Sequence, residues 1–115
     1  VEGAELRTVT FEPAFQKWQQ QQCHGLFVHI TEPRTFRPYQ TTLLILRELR
    51  RLYSDQFAWN PPPYEYEPTL MPMDILTGSS RVRQFIDDNG SDADLIELSK
   101  VPADWWQRVS SCLLY

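Results

Sequence analysis

Tyr64-Glu65-Tyr66-Glu67 alternates aromatic and acid, so on an extended backbone both carboxylates share one face. Glycosidases work with paired carboxylates, one donating a proton while the other attacks or activates water. Glu65 and Glu67, however, come from one short segment beside Pro61-Pro62-Pro63. Solvated carboxylates are poor general acids at neutral pH, so a solvated edge is the ordinary reading of this pair. Asp74, between Met73 and Ile75, is different in kind. An acid among apolar neighbours needs a donor, and a structural hydrogen bond outranks substrate contact there. Gly78-Ser79-Ser80, followed by Arg81 and Arg83, opens a predicted helix. Free N–H groups and the helix dipole would favour an anion at that point, and plain serine capping is the competing account.

His24 and His29 have no second ligand at metal spacing, so no metal or other cofactor is expected, and each reads as a histidine at a sheet surface. Cys23 and Cys112 make neither a disulfide framework nor a zinc site, and nothing sets a serine or cysteine beside a histidine with an orienting acid. Pro61-Pro62-Pro63-Tyr64 matches the short pattern read by proline-binding adaptors. A non-catalytic protein-interaction module using this loop and exposed aromatics is therefore the alternative function.

Positioning these groups requires a scaffold, and its centre is the stretch from Cys23 to Tyr53. Leu26, Val28 and Ile30 alternate with Phe27, His29 and Thr31 between Gly25 and Pro33, which predicts a central strand over 25–32. Residues 5–11 alternate in the same way and predict an antiparallel partner, closed by Pro13. Pro38 suits the first turn of a helix running to Tyr53, with Tyr39, Leu43, Ile45, Leu46, Leu49, Leu52 and Tyr53 on one broad arc. Leu44 falls on the opposite arc with Gln40, Arg47, Glu48 and Arg51. That position predicts Leu44, Arg47 and Arg51 at a surface facing another domain. Ser79 or Ser80 should cap a second helix containing Val82, Phe85 and Ile86, ended by Asn89-Gly90, and Ser91 with Asp94 a third. Pro102 should break or restart that helix, Trp105 and Trp106 should pack on the domain, and the chain from Cys112 to Tyr115 reads as a last strand or docked tail. The whole is an α+β fold: one domain over 1–115, with a small, mainly antiparallel sheet, one long helix packed on it and two or three shorter helices.

At 115 residues, 42% apolar and 23% charged, the chain is ordinary globular material despite nine prolines. A net charge of −4 argues against a nucleic-acid partner. The longest apolar run, Leu43 to Leu46, is too short to insert in a membrane, and residues 1–20 have no signal-peptide pattern.

Taken in order, Cys23-His-Gly25, the apolar alternation to Thr31, Phe36-Arg-Pro38, Leu49 to Tyr53, Phe57-Ala-Trp59, Asp74-Ile-Leu-Thr-Gly78-Ser79 and Leu113-Leu114-Tyr115 resemble the C-terminal domain of the NamZ-type exo-β-N-acetylmuramidases. The resemblance covers nearly the whole chain. It implies a larger, Rossmann-like N-terminal domain as partner, carrying the catalytic carboxylate. It also implies hydrolysis of terminal N-acetylmuramic acid from peptidoglycan fragments, in the periplasm or outside the cell, with the present chain forming part of the cleft wall and inactive alone. Under it, Asp74, Gly78, Ser79, Arg81, Tyr64 and Glu65 are candidate saccharide contacts, the lactyl carboxylate of muramic acid being a suitable guest at the Gly78-Ser79 helix start.

Overall fold

A computed structural model of the protein describes residues 1–114. The fold is α+β, and the chain forms two compact units, residues 1–38 and residues 39 onward.

The first unit is a two-stranded antiparallel ribbon of β1 (Ala4–Phe11) and β2 (Cys23–Ile30), paired from Ala4 opposite Ile30 to Phe11 opposite Cys23. β-Branched and aromatic residues supply the extended backbone, as expected. Gly3 secures the open end of the ribbon. Its carbonyl accepts from the N–H groups of Thr31 and Glu32, and at φ 72° an added Cβ would meet Glu32 O and Phe36 N at 2.7 Å. Opposite residues project to the same face. One face therefore presents Ala4, Leu6, Thr8, Thr10, His24, Leu26, Val28 and Ile30, and the other Glu5, Arg7, Val9, Phe11, Cys23, Gly25, Phe27 and His29. The second face carries its own contacts. Arg7 lies 5.8 Å from the Phe27 ring centre, the Phe27 and His29 rings are 4.5 Å apart, and Phe11 covers Gly25. The sequence places Leu26, Val28 and Ile30 inside a central strand. Among the described residues β2 is one of two strands, and these three side chains are 47%, 36% and 53% exposed.

The second unit contains α1 (Pro38–Leu52, starting at the boundary), α2 (Pro72–Thr77), α3 (Arg81–Asp87), α4 (Asp92–Leu98) and α5 (Trp105–Val109), followed by a 3-10 turn over Ser110–Cys112. Pro38 begins α1 as expected, and Arg50 and Arg51 in its last turn complement the helix dipole. Leu43, Val82, Phe85, Ile86 and Leu95 make the core, with Leu44, Leu46, Trp59, Met73 and Leu98 packed against it. The inward stripe of α1 thus shares Leu43 and Leu46 with the arc its apolar periodicity predicts but is turned away from the rest of it. Gln40, Leu43, Leu44, Arg47 and Arg50, spaced as one helix face, are the residues that engage α3, α4 and their flanks. Gln40 donates to Ser99 Oγ at 2.7 Å, and Arg50 donates to Asp87 Oδ1 at 3.2 Å. Tyr39, Leu49, Leu52 and Tyr53 are exposed.

Short-range signals hold better. Ser91 and Asp94 form the expected capping box of α4, and Asn89 takes positive φ after α3. Neither Ser79 nor Ser80 caps α3, because Ser80 has a helical backbone and makes no side-chain cap bond. The chain restarts as α5 after Pro102, but Trp105 and Trp106 are exposed rather than packed. Among the described residues the tail adds no strand, since Cys112 ends the 3-10 turn; Tyr115 lies outside the described residues. Cys23 and Cys112 are free thiols.

Candidate functional site

The strongest polar constellation joins α2 to α3. Pro72 starts α2 where its missing N–H costs nothing, and Gly78 ends it in the left-handed region at φ 77°. Thr77 Oγ1 donates to Met73 O at 2.8 Å and to Ser79 O at 3.0 Å, fixing the turn. Across that turn Arg83 grips Asp74 with a two-pronged bond, Nε to Oδ1 and Nη2 to Oδ2, each 2.8 Å. The guanidinium holds the Asp74 carboxyl below its usual value, and Asp74 in turn raises Arg83. The partner an acid between apolar neighbours requires is therefore Arg83. The structural reading of Asp74 accounts for its geometry.

Separately, α3 and α4 enclose an open cleft of about 340 Å³ lined by Arg81, Gln84, Phe85, Asp88, Gly90, Asp94, Glu97 and Leu98. Arg81, Gln84 and Asp88 recur at helical spacing on α3, while Asp94, Glu97 and Leu98 do so on α4. The two rows meet because Gly90 lets the chain return closely, an added Cβ there overlapping the Phe85 ring. Two of the three acids are already engaged. Asp94 accepts from Ser91 Oγ at 2.7 Å and from its N–H at 2.8 Å, and Glu97 pairs with Lys100. Both carboxyls are held below their usual values, by the Ser91 hydroxyl and by Lys100 respectively. Arg81 is the cation of the cleft. Of the candidate contacts it alone lines this space; Gln84, Asp88, Asp94 and Glu97 are cleft residues that motif reading misses. Their spacing along two short helices is the signal that could have found them.

Gly78 and Ser79 are exposed in the turn before α3. With seven residues and no serine cap, α3 gives little weight to an anion seat at its start. Tyr64 and Glu65 lie apart from the cleft lining. The segment is not extended: Tyr64 and Glu67 exchange backbone hydrogen bonds of 3.0 Å, and Glu65 turns at φ 51°. Glu67 Oε1 accepts from Thr69 N, Thr69 Oγ1 and Leu70 N at 2.7, 2.6 and 3.1 Å, and the Thr69 hydroxyl heads the contacts that hold its carboxyl low. The expected one-faced carboxylate pair is therefore replaced by a tight turn that uses Glu67 internally. The same turn engages the backbone of Tyr64, the last residue of the Pro61–Tyr64 segment.

Leu44, Arg47 and Arg51 do not behave as one exposed surface. Leu44 packs against the core. The Arg47 side chain is only 11% exposed and donates to Gly90 O at 2.8 Å and Asp92 Oδ1 at 2.9 Å, whereas Arg51 pairs with Glu48 at 2.8 Å. A long aliphatic stem and a forked head let arginine occupy an inward position when carbonyl and carboxylate partners meet it. That is the physical reason periodicity misreads this face. In the ribbon, His24 Nδ1 and Thr10 Oγ1 are 3.1 Å apart, while His29 Nε2 is buried with no hydrogen-bond partner among the described residues. Among the described residues no group of three histidine, cysteine or acidic side chains could hold a metal, and no helix is long and apolar enough to cross a membrane.

The chain is 30% identical over 57 residues to the peptidoglycan beta-N-acetylmuramidase NamZ of Bacillus subtilis (strain 168), a match covering 50% of this chain and 14% of that protein. No solved structure matches. The model of the family described as exo-beta-N-acetylmuramidase NamZ, C-terminal, matches residues 1–115, and the chain belongs to that family.

Proposed function

We propose that this chain is the accessory C-terminal domain of a peptidoglycan-processing glycoside hydrolase that removes terminal N-acetylmuramic acid, with the reactive carboxylate in an upstream domain. The whole-length family match is the observation that carries this reading. The electrostatics support it. A general acid working near neutral pH needs a carboxyl pushed up, whereas Glu48, Glu67, Asp74, Asp94 and Glu97 are all held down by donors or cations. These groups suit binding and scaffolding better than proton transfer.

Within that role, Arg81 is the saccharide contact we favour. Its guanidinium can meet the lactyl carboxylate of muramic acid beside the apolar floor of Phe85 and Leu98. Asp74, Gly78 and Ser79 set the turn before α3, and Tyr64 and Glu65 form a separate turn that could meet the remainder of the glycan. The test uses the longer parent protein and a chromogenic muramic acid glycoside. We expect release by the parent, none by the 115-residue chain, and a raised KM with unchanged kcat in parent Arg81→Gln. A folded parent that releases nothing removes the enzyme reading, and an unchanged KM removes Arg81 from the site.

A further inference from the structure

The β1–β2 ribbon is unfinished in a way that has a direction. Two strands alone make a marginal structure, and three or more strands or a packed partner are the usual remedy. The face built from Ala4, Leu6, Thr8, Thr10, His24, Leu26, Val28 and Ile30 has no acidic, lysine or arginine side chain, and Leu6, Leu26, Val28 and Ile30 on it are exposed. The register sets Leu6 against Val28 and Ala4 against Ile30, so the aliphatic groups are contiguous. The opposite face holds the charges, Glu5 and Arg7, together with the Arg7–Phe27–His29 contacts and the cover of Phe11 over Gly25. What separates the faces is charge, since the opposite one also exposes the Phe11 and Phe27 rings. The edge gives the same indication: β2 has no charge and no proline, the devices with which exposed edge strands repel neighbours. A contiguous uncharged patch of this kind marks an interface.

We propose that this charge-free face seats the upstream part of the parent protein. The inference rests on the reading of the chain as the C-terminal part of a longer enzyme. The matched family is a C-terminal one, and the 57-residue match covers only 14% of the Bacillus relative, so a protein of that length has much further chain tethered to this region. Tethering gives that neighbour a higher effective concentration than a second copy of the chain. Of the expected inter-domain residues, Leu44 and Arg47 are engaged inside their own unit, while Arg51 is half exposed.

Side-chain footprinting by carbene or hydroxyl radicals tests the proposal on the 115-residue chain and on the parent. We expect labelling of Leu26, Val28 and Ile30 to fall at least about fivefold in the parent, while Phe27 on the other face is unchanged. Equal labelling in the two proteins overturns the proposal. So does low labelling already present in the 115-residue chain, which would mean that the chain covers the face itself, and so does labelling that falls as that chain is concentrated, which would assign the face to a second copy. Val28→Lys in the parent should restore labelling at Leu26 and Ile30 without changing the melting of the 115-residue chain. The readout does not use hydrolysis, so an inactive parent with a protected face would sink the enzyme reading and leave this one standing.

Discussion

Replacing Leu43 by alanine asks whether α1 turns its Gln40–Leu43–Arg47 face toward α3 and α4, because Leu43 is 1% exposed and touches the core while Leu52, on the arc chosen by apolar periodicity, is 62% exposed. Leu→Ala removes three carbons, worth about 2.4 kcal/mol at about 0.8 kcal/mol each. The cavity left among Val82, Phe85, Ile86 and Leu95 should raise the loss to roughly 3–5 kcal/mol. For a unit of this size that is a fall in Tm of more than about 10 °C. Leu52→Ala should cost less than about 0.5 kcal/mol, since surface substitutions away from special features fall in that range. Leu44→Ala should lie between the two. Urea unfolding followed by far-UV circular dichroism measures all three, with equal m values required for the comparison. If Leu52→Ala costs as much as Leu43→Ala, or Leu44→Ala costs nothing, α1 presents a different face to the core and the accounts of Gln40, Arg47 and Arg50 fail with it.

Acid should unfold the helical unit. A folded-state carboxyl held below its unfolded value adds stability that is fully present above the unfolded value, near 3.8 for Asp74, and is lost as pH falls through the folded one. Melting temperature should therefore be flat above about pH 5 and fall below about pH 4, with Asp74→Asn showing a shallower fall; a slope that Asp74→Asn leaves untouched would discount the Arg83 contact. Ser91→Ala removes the capping hydroxyl of α4 and should cost about 1 kcal/mol in chemical denaturation. A loss under about 0.3 kcal/mol would mean that Asp94 alone sustains the cap. Gly90→Ala drives a methyl into the Phe85 ring and should cost roughly 1–3 kcal/mol, accompanied by a shift of the Phe85 ring resonances. An unchanged spectrum would show that Gly90 does not sit against the Phe85 ring at the end of α3.

What the sequence made legible was local, and the reasons are physical. The ribbon could be read because β-branched alternation and the break at Pro13 act over a few residues, although β2 begins at Cys23 and runs through Gly25, and the Ser91–Asp94 box because both its partners sit in one turn. The inward face of α1 could not be read in that way. A periodicity argument sorts residues by type, and it puts Gln40 and Arg47 on the outer arc because it cannot see Ser99 and Gly90, which lie 59 and 43 residues further along and accept hydrogen bonds from them. Of the predicted arc, Leu43 is buried in the core and Leu46 packs against it, while Tyr39, Leu49, Leu52 and Tyr53 stay in water. The cleft has the same non-local origin: Arg81, Gln84 and Asp88 form a row only on α3, and they line a space only because Gly90 brings α4 alongside. Glu65 and Glu67 illustrate the converse. Their alternation is real, but Glu67 finds three donors within the next three residues, and a local hydrogen-bonded turn wins over an extended segment that would leave the carboxylate to water. The same reasoning gives the exposed ribbon face its meaning. Where a strongly patterned apolar set has no partner within its own unit, the sequence has still specified a buried surface, and the burying element must be sought beyond that unit.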